Sequence, residues 1–168
     1  MLSGQLAKTI TKDGVELQGF WVDKKSEIAI FHSHGTAGDF YTHKFIELEG
    51  EKLSLENISF LTANNRGHDV FADLRKHSPD KVEWIQIGGA LEKFEDCIFD
   101  IEAWLDFLET KGVKKVILQG HSLSQKLVTT SLSKTIKELL GRSTFPRAMT
   151  LVLCIIFLEK RNIKKQTR

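Results

Sequence analysis

Val116-Ile117-Leu118-Gln119-Gly120-His121-Ser122-Leu123-Ser124 is the stretch that decides the fold. It opens as an apolar, β-branched run of strand length and ends in small residues. Downstream, residues 125–140 place Val128, Leu132, Ile136 and Leu139 on one helical stripe, with Gly141 as a stop. Strand, tight turn and helix therefore meet within a few residues around Ser122.

Working back from that turn, residues 94–110 form the clearest helix. Phe94, Cys97, Ile98, Ile101, Trp104, Leu105 and Leu108 follow the spacing of one apolar face, and Lys111-Gly112 closes it. Asp96, Asp100 and Asp106 read as a solvated acidic face, not a metal site, since no histidine accompanies them. Residues 70–93, with Pro79 and Gly88-Gly89, have weak periodicity and read as a surface excursion. Gly88-Gly89 is no phosphate loop, because no Lys-Ser/Thr follows it.

Further upstream, Ile58 to Ala63 is a strand that runs into the polar turn Asn64-Asn65-Arg66-Gly67-His68-Asp69. Residues 43–56 read as a helix. Ile28-Ala29-Ile30-Phe31 is a short apolar run, a strand buried on both faces, and it leads into His34-Gly35. Asp13-Gly14 between two β-rich runs signals an N-terminal hairpin. The late run Leu151 to Leu158 is read as a further buried strand. Hairpin followed by strand–helix alternation predicts an α/β fold: a mostly parallel sheet with helices on both faces.

The chain has 168 residues, which is the size of one domain. The expectation is a single domain over 1–158 and a basic tail over 159–168. That tail holds five Lys/Arg and one Glu, so the formal charge of +2 conceals a net negative body. Such a body makes no case for nucleic-acid binding. The eight-residue run 151–158 is too short for a membrane span, which needs about 20 residues. Residues 1–13 lack the apolar core of a signal peptide. Cys97 and Cys154 are read as buried thiols, and a cytoplasmic location is expected.

A serine hydroxyl attacks an acyl carbon only when a base takes its proton. The G-x-S-x-G turn exposes such a serine at the top of a sheet, and here Ser124 stands in place of the last glycine. Acyl transfer also needs N–H donors for the developing oxyanion. The amide of Leu123 is one candidate. The second would come from Thr36 or Ala37, in a loop that Gly35 and Gly38 allow to turn tightly.

His34-Gly35-Thr36, then Asn65-Arg66-Gly67-His68, then Gly120-His121-Ser122-Leu123 resemble, in that order, the α/β-hydrolase fold family, and within it serine esterases and lipases with a His-Gly oxyanion loop. The resemblance covers about residues 5–140. It implies Ser122 as nucleophile and a small acyl compound as substrate, with neither metal nor organic cofactor. It also implies that His34 holds the oxyanion loop and that His121 packs beside the serine. The family's acid and histidine follow the nucleophile in the chain. All six histidines (His32, His34, His43, His68, His77 and His121) precede Ser122, and Glu159 is the one acid in a roughly suitable place. His68 reads as a structural turn residue, with His68 or His34 as a substitute base left open.

The resemblance further implies later strands, a lid and two more loops, which need far more than the 46 residues after Ser122. The expectation is therefore an incomplete fold, truncated or frameshifted. A shortened non-catalytic relative and a chain completed by a partner subunit are the alternatives. A sheet cut there leaves an exposed edge through which the chain would self-associate.

Overall fold

The computed structural model describes residues 2–121 and 151–157, with backbone only for 121 and 151–157. Ser122, Leu123, the helix expected over 125–140, Glu159 and the basic tail lie outside the described residues.

The chain opens with strands β1 (Gln5–Ile10) and β2 (Glu16–Val22), paired antiparallel. Their turn is closed by Thr11 N–H to the Val15 carbonyl at 2.9 Å and Gly14 N–H to the Thr11 carbonyl at 2.9 Å. Gly14 has φ +92°, and a Cβ there would meet the His77 carbonyl oxygen at 2.1 Å, so the Asp-Gly signal marks a place only glycine fits. Next come β3 (Ile28–Ser33), helix α1 (Lys44–Leu55) and β4 (Ser59–Ala63). β5 (Ala72–His77) and β6 (Val82–Ile87) follow. A 3₁₀ turn (Phe94–Asp96) then leads into helix α2 (Cys97–Thr110), and β7 (Lys115–His121) and β8 (Leu151–Phe157) complete the described elements.

Six of the described strands form one sheet in the order β1-β2-β4-β3-β7-β8. The α/β class stands, but "mostly parallel" needs correction. Among the described strands, only β4–β3 and β3–β7 are parallel, while β1–β2, β2–β4 and β7–β8 are antiparallel. The reason is local. The hairpin turn makes β1 and β2 antiparallel, β2 then runs opposite to β4, and β8 runs back along β7. Of the strands that sequence reads as continuous apolar runs, β8 pairs antiparallel, and β3, β4 and β7 form the parallel part of the sheet.

Those runs are apolar on both faces because a helix covers each face. Side chains alternate along a strand. Trp21, Phe31, Leu61, Ala63, Val116 and Leu118 point into a core shared with Ile101, Trp104, Leu105 and Leu108 of α2. Phe20, Val22, Ile30 and Phe60 point the other way, onto Ile46 and Leu53 of α1. Each fully buried side chain of this size contributes roughly 1.5–3 kcal/mol.

Two further expectations change. Residues 70–93 are not an irregular excursion, because β5 and β6 pair as a separate antiparallel hairpin. Its turn lies at Ser78-Pro79-Asp80-Lys81, where Ser78 N–H donates to the Lys81 carbonyl at 2.9 Å. Asp100 is not solvated. It is 0% exposed, whereas Asp106 on the same helix is exposed.

Candidate functional site

Parallel pairing sets what can meet at one edge. Ser33 is opposite Ala63 of β4 on one side and Gly120 of β7 on the other. The loops that begin at His34 and Asn64 and the carboxyl end of β7 therefore lie at one common edge of the sheet. This is the carboxyl end of the parallel strands, where α/β folds build their sites.

The loop after β3 makes a tight turn. Gly38 N–H donates to the Gly35 carbonyl at 3.0 Å. Ala37, third of those four residues, has φ +52°, as turns of this kind require. His34, buried below, places Nδ1 at 2.7 Å from the same Gly35 carbonyl, while its Nε2 accepts the Asn65 N–H at 3.2 Å. An acceptor at Nε2 leaves the proton on Nδ1, so the ring is neutral and both nitrogens are engaged. Burial pushes its pKa down to about 4, which agrees. His34 thus joins two loops and has no nitrogen spare for a serine proton.

The loop after β4 braces this turn at two further points. Ala37 N–H donates to the Gly67 carbonyl at 3.0 Å, and Asp69 N–H donates to the Gly38 carbonyl at 3.0 Å. Of the two loop amides named for the oxyanion, Thr36 and Ala37, that of Ala37 is therefore committed elsewhere. No hydrogen bond joins the Thr36 amide to any described residue. Gly89 lies against the turn, and a Cβ there would stand 2.9 Å from the Ala37 nitrogen.

His68 holds Nδ1 at 2.8 Å from Asp69 Oδ2, and the same oxygen accepts the Tyr41 hydroxyl at 2.8 Å. Desolvation, then the Asp69 contact, pushes Tyr41 up to about 12, so it stays a donor. His32 is buried with Nδ1 at 3.5 Å from Glu49, whose carboxyl burial pushes above its usual range. His43 sits as the N-cap of α1, and His77 bonds Glu16 at 2.9 Å, away from this edge.

Arg66 was quoted only as part of a motif, yet it is the most heavily bonded side chain near the site. Its Nη2 donates to Asp100 Oδ1 at 2.8 Å, its Nε lies 3.0 Å from the same oxygen, and its backbone N–H donates to Asp100 Oδ2 at 2.8 Å. Nη1 and Nη2 reach Asp13 at 2.9 and 3.0 Å. Burial alone would lower the Arg66 pKa, but the bonds to Asp13 and Asp100 outweigh it and hold the guanidinium above its ordinary value. Burial pushes the Asp100 carboxyl up to about 6, so the pair is charged at neutral pH. The signal was present in the sequence. Asp100 falls on the apolar stripe with Cys97, Trp104 and Leu108, and a carboxylate there calls for a buried cation.

Two cavities lie nearby. One of about 110 Å³ sits behind the turn, lined by His32, His34, Gly35, Thr36, Gly38 and His43 among others. It is too small for a drug-sized ligand. Another of about 340 Å³ is walled by Leu2, Phe20, Phe40 and Thr62, but no residue of the turn Gly35–Gly38 lines it. It is therefore not where an oxyanion would sit. Among the described residues, no group of three or more His, Cys, Asp or Glu could hold a metal, and no helix is long and apolar enough to cross a membrane.

No protein-family model matches the chain, and no curated protein matches it. Solved structures do. The Pyrococcus furiosus esterase Pf2001 superposes with a TM-score of 0.61 at 20% identity, over 79% of this chain and 48% of that one. Est1E from Butyrivibrio proteoclasticus, bound to ferulic acid, gives 0.56 at 20% identity, over 78% and 49%. An α/β-hydrolase-fold protein of unknown function gives 0.58 at 12% identity, over 79% and 39%. At such identities the likeness is one of fold, and the fold is that of the α/β hydrolases. The chain spans about half the length or less of these structures.

Proposed function

We propose that this α/β-hydrolase-fold chain carries the plan of a serine hydrolase acting on a carboxylic ester or similar acyl bond. The Ser122 oxygen bonds to the acyl carbon as the ester C–O bond breaks, the serine proton leaves with the alcohol, and water then cleaves the acyl-enzyme to the free acid and restores the serine hydroxyl. The Thr36 amide, with that of Leu123, donates to the oxyanion. The observation that carries this reading is the braced turn Gly35–Gly38, which His34 and Gly67 hold at the same sheet edge as Gly120 of β7, two residues before Ser122 in the sequence. Such a turn, braced by two of its own amides while that of Thr36 bonds no described residue, suits a site that must be organised before charge develops.

A second reading is a non-catalytic protein of the same fold that binds a ligand or a partner. It is favoured by His34, whose two nitrogens are both engaged. A fluorophosphonate probe separates the two. Labelling of the folded wild type that disappears in Ser122→Ala supports the hydrolase. A folded chain that takes no label supports the binder.

A further inference from the structure

We infer that Arg66, clamped between Asp100 and Asp13, is a positioning residue for the oxyanion turn. The inference rests on the hydrolase reading for its catalytic meaning, but its physical content is separate from it.

The chain of contacts is short. Asp100 is fully buried on α2, and Asp13 lies in the β1–β2 turn. The Arg66 guanidinium bridges them, and the Arg66 amide also ends on Asp100. This immobilises the backbone of residues 65–67. Asn65 reinforces it by accepting the Gly67 N–H on its side-chain oxygen at 2.9 Å. From that backbone, Asn65 N–H holds the His34 ring and the Gly67 carbonyl holds Ala37. The Thr36 amide lies between those two anchored residues. A planar guanidinium that engages two carboxylates fixes orientation as well as distance, which lysine cannot do. With Arg66 gone, the loop after β4 keeps its place in the sheet and loses the tie that aims it at the turn.

The test is amide exchange followed by NMR. In Arg66→Gln, the Ala37 and Asn65 amides should exchange about tenfold faster, while Phe31 and Leu61 in the sheet keep their wild-type rates. The His34 Nδ1 proton should broaden or vanish. Lys12→Ala is the control, since it breaks another link between the hairpin turn and α2, the exposed Lys12–Glu102 pair at 3.2 Å, without touching the loop. It should change neither amide. If Arg66→Gln does not fold, Asp13→Asn decides. It weakens one arm of the clamp and should speed the same two amides by about threefold. Unchanged Ala37 and Asn65 exchange in a folded variant overturns the inference, as does a uniform rise across the molecule. Probe labelling of Ser122 should slow in parallel, about tenfold in Arg66→Gln. A wild type that never labels removes the hydrolase reading and leaves the exchange result to judge the positioning.

Discussion

The backbone N–H of Asn65 donates to Nε2 of His34 at 3.2 Å, across the gap between two loops that are distant in sequence. This bond needs a neutral imidazole, because a protonated ring has no acceptor. The folded pKa of about 4 lies below the ordinary 6.5, so the unfolded chain binds the proton more readily. His34 therefore contributes stability that is full above pH 6.5 and is lost as pH falls toward 4, on the order of 3 kcal/mol in all. Asp100 acts oppositely between about 6 and 3.8, where the native state binds more protons. The His34 contribution must therefore be read as a difference between wild type and His34→Asn. Urea unfolding should show a gap between them that narrows steadily from about pH 7 to about pH 4.5. A gap independent of pH would refute the neutral, engaged ring.

Asp100→Asn should be among the costliest single changes available on α2. It leaves the Arg66 guanidinium buried with half its compensation gone, a loss of about 3–5 kcal/mol for a broken buried pair. Asp106→Asn, an exposed site on the same helix, should stay within about 0.5 kcal/mol of wild type. Denaturant midpoints compare the two directly. Equal effects would mean that the buried clamp carries no more weight than a surface charge.

These two aspartates show where sequence reading succeeded and where it stopped. The helix containing both was legible from its 3.6-residue spacing, and β3, β4 and β7 from apolar runs that two covering helices demand. Asp100 was misread because charge was counted by type rather than by position on the stripe. β5 and β6 escaped because they serve no two-sided core. Trp84 is 71% exposed, next to the partly buried Ile85, so no alternation stands out. Strand order was beyond reach, since β3 enters between β4 and β7 through pairings far apart in the chain. The His34-Gly35 loop was legible as a motif, but which of its amides is tied down depends on Gly67, thirty residues from Ala37.

Ala37→Gly should stabilise the fold modestly. Alanine at φ +52° is strained by about 1–2 kcal/mol, and glycine returns part of that through its freer unfolded chain. The net gain should be about 0.5 kcal/mol, seen as a small rise in Tm. Gly89→Ala acts on the same turn from outside, since its new Cβ would press on the Ala37 nitrogen. It should lower stability by about 1–3 kcal/mol and slow any probe labelling of Ser122. A Gly89→Ala protein with wild-type Tm and labelling would show that the turn yields without cost.

β8 poses the last question, because it pairs with β7 on one side and no described strand flanks its other side. Its sequence, Leu-Val-Leu-Cys-Ile-Ile-Phe, is uncharged, without proline, and rich in residues that favour strands. An edge of that composition is a template for a second copy of the same segment. The purified chain should therefore elute larger than its 19.1 kDa monomer, with the fraction rising with concentration. Lysine is the residue that natural edges use to block such pairing. Leu153→Lys and Ile155→Lys, two residues apart and so on one face of the strand, should both shift the distribution toward monomer if pairing runs through this edge. Light scattering on wild type and the two variants measures this, and a monodisperse wild-type monomer with a cooperative melt would rule the edge out as an assembly surface.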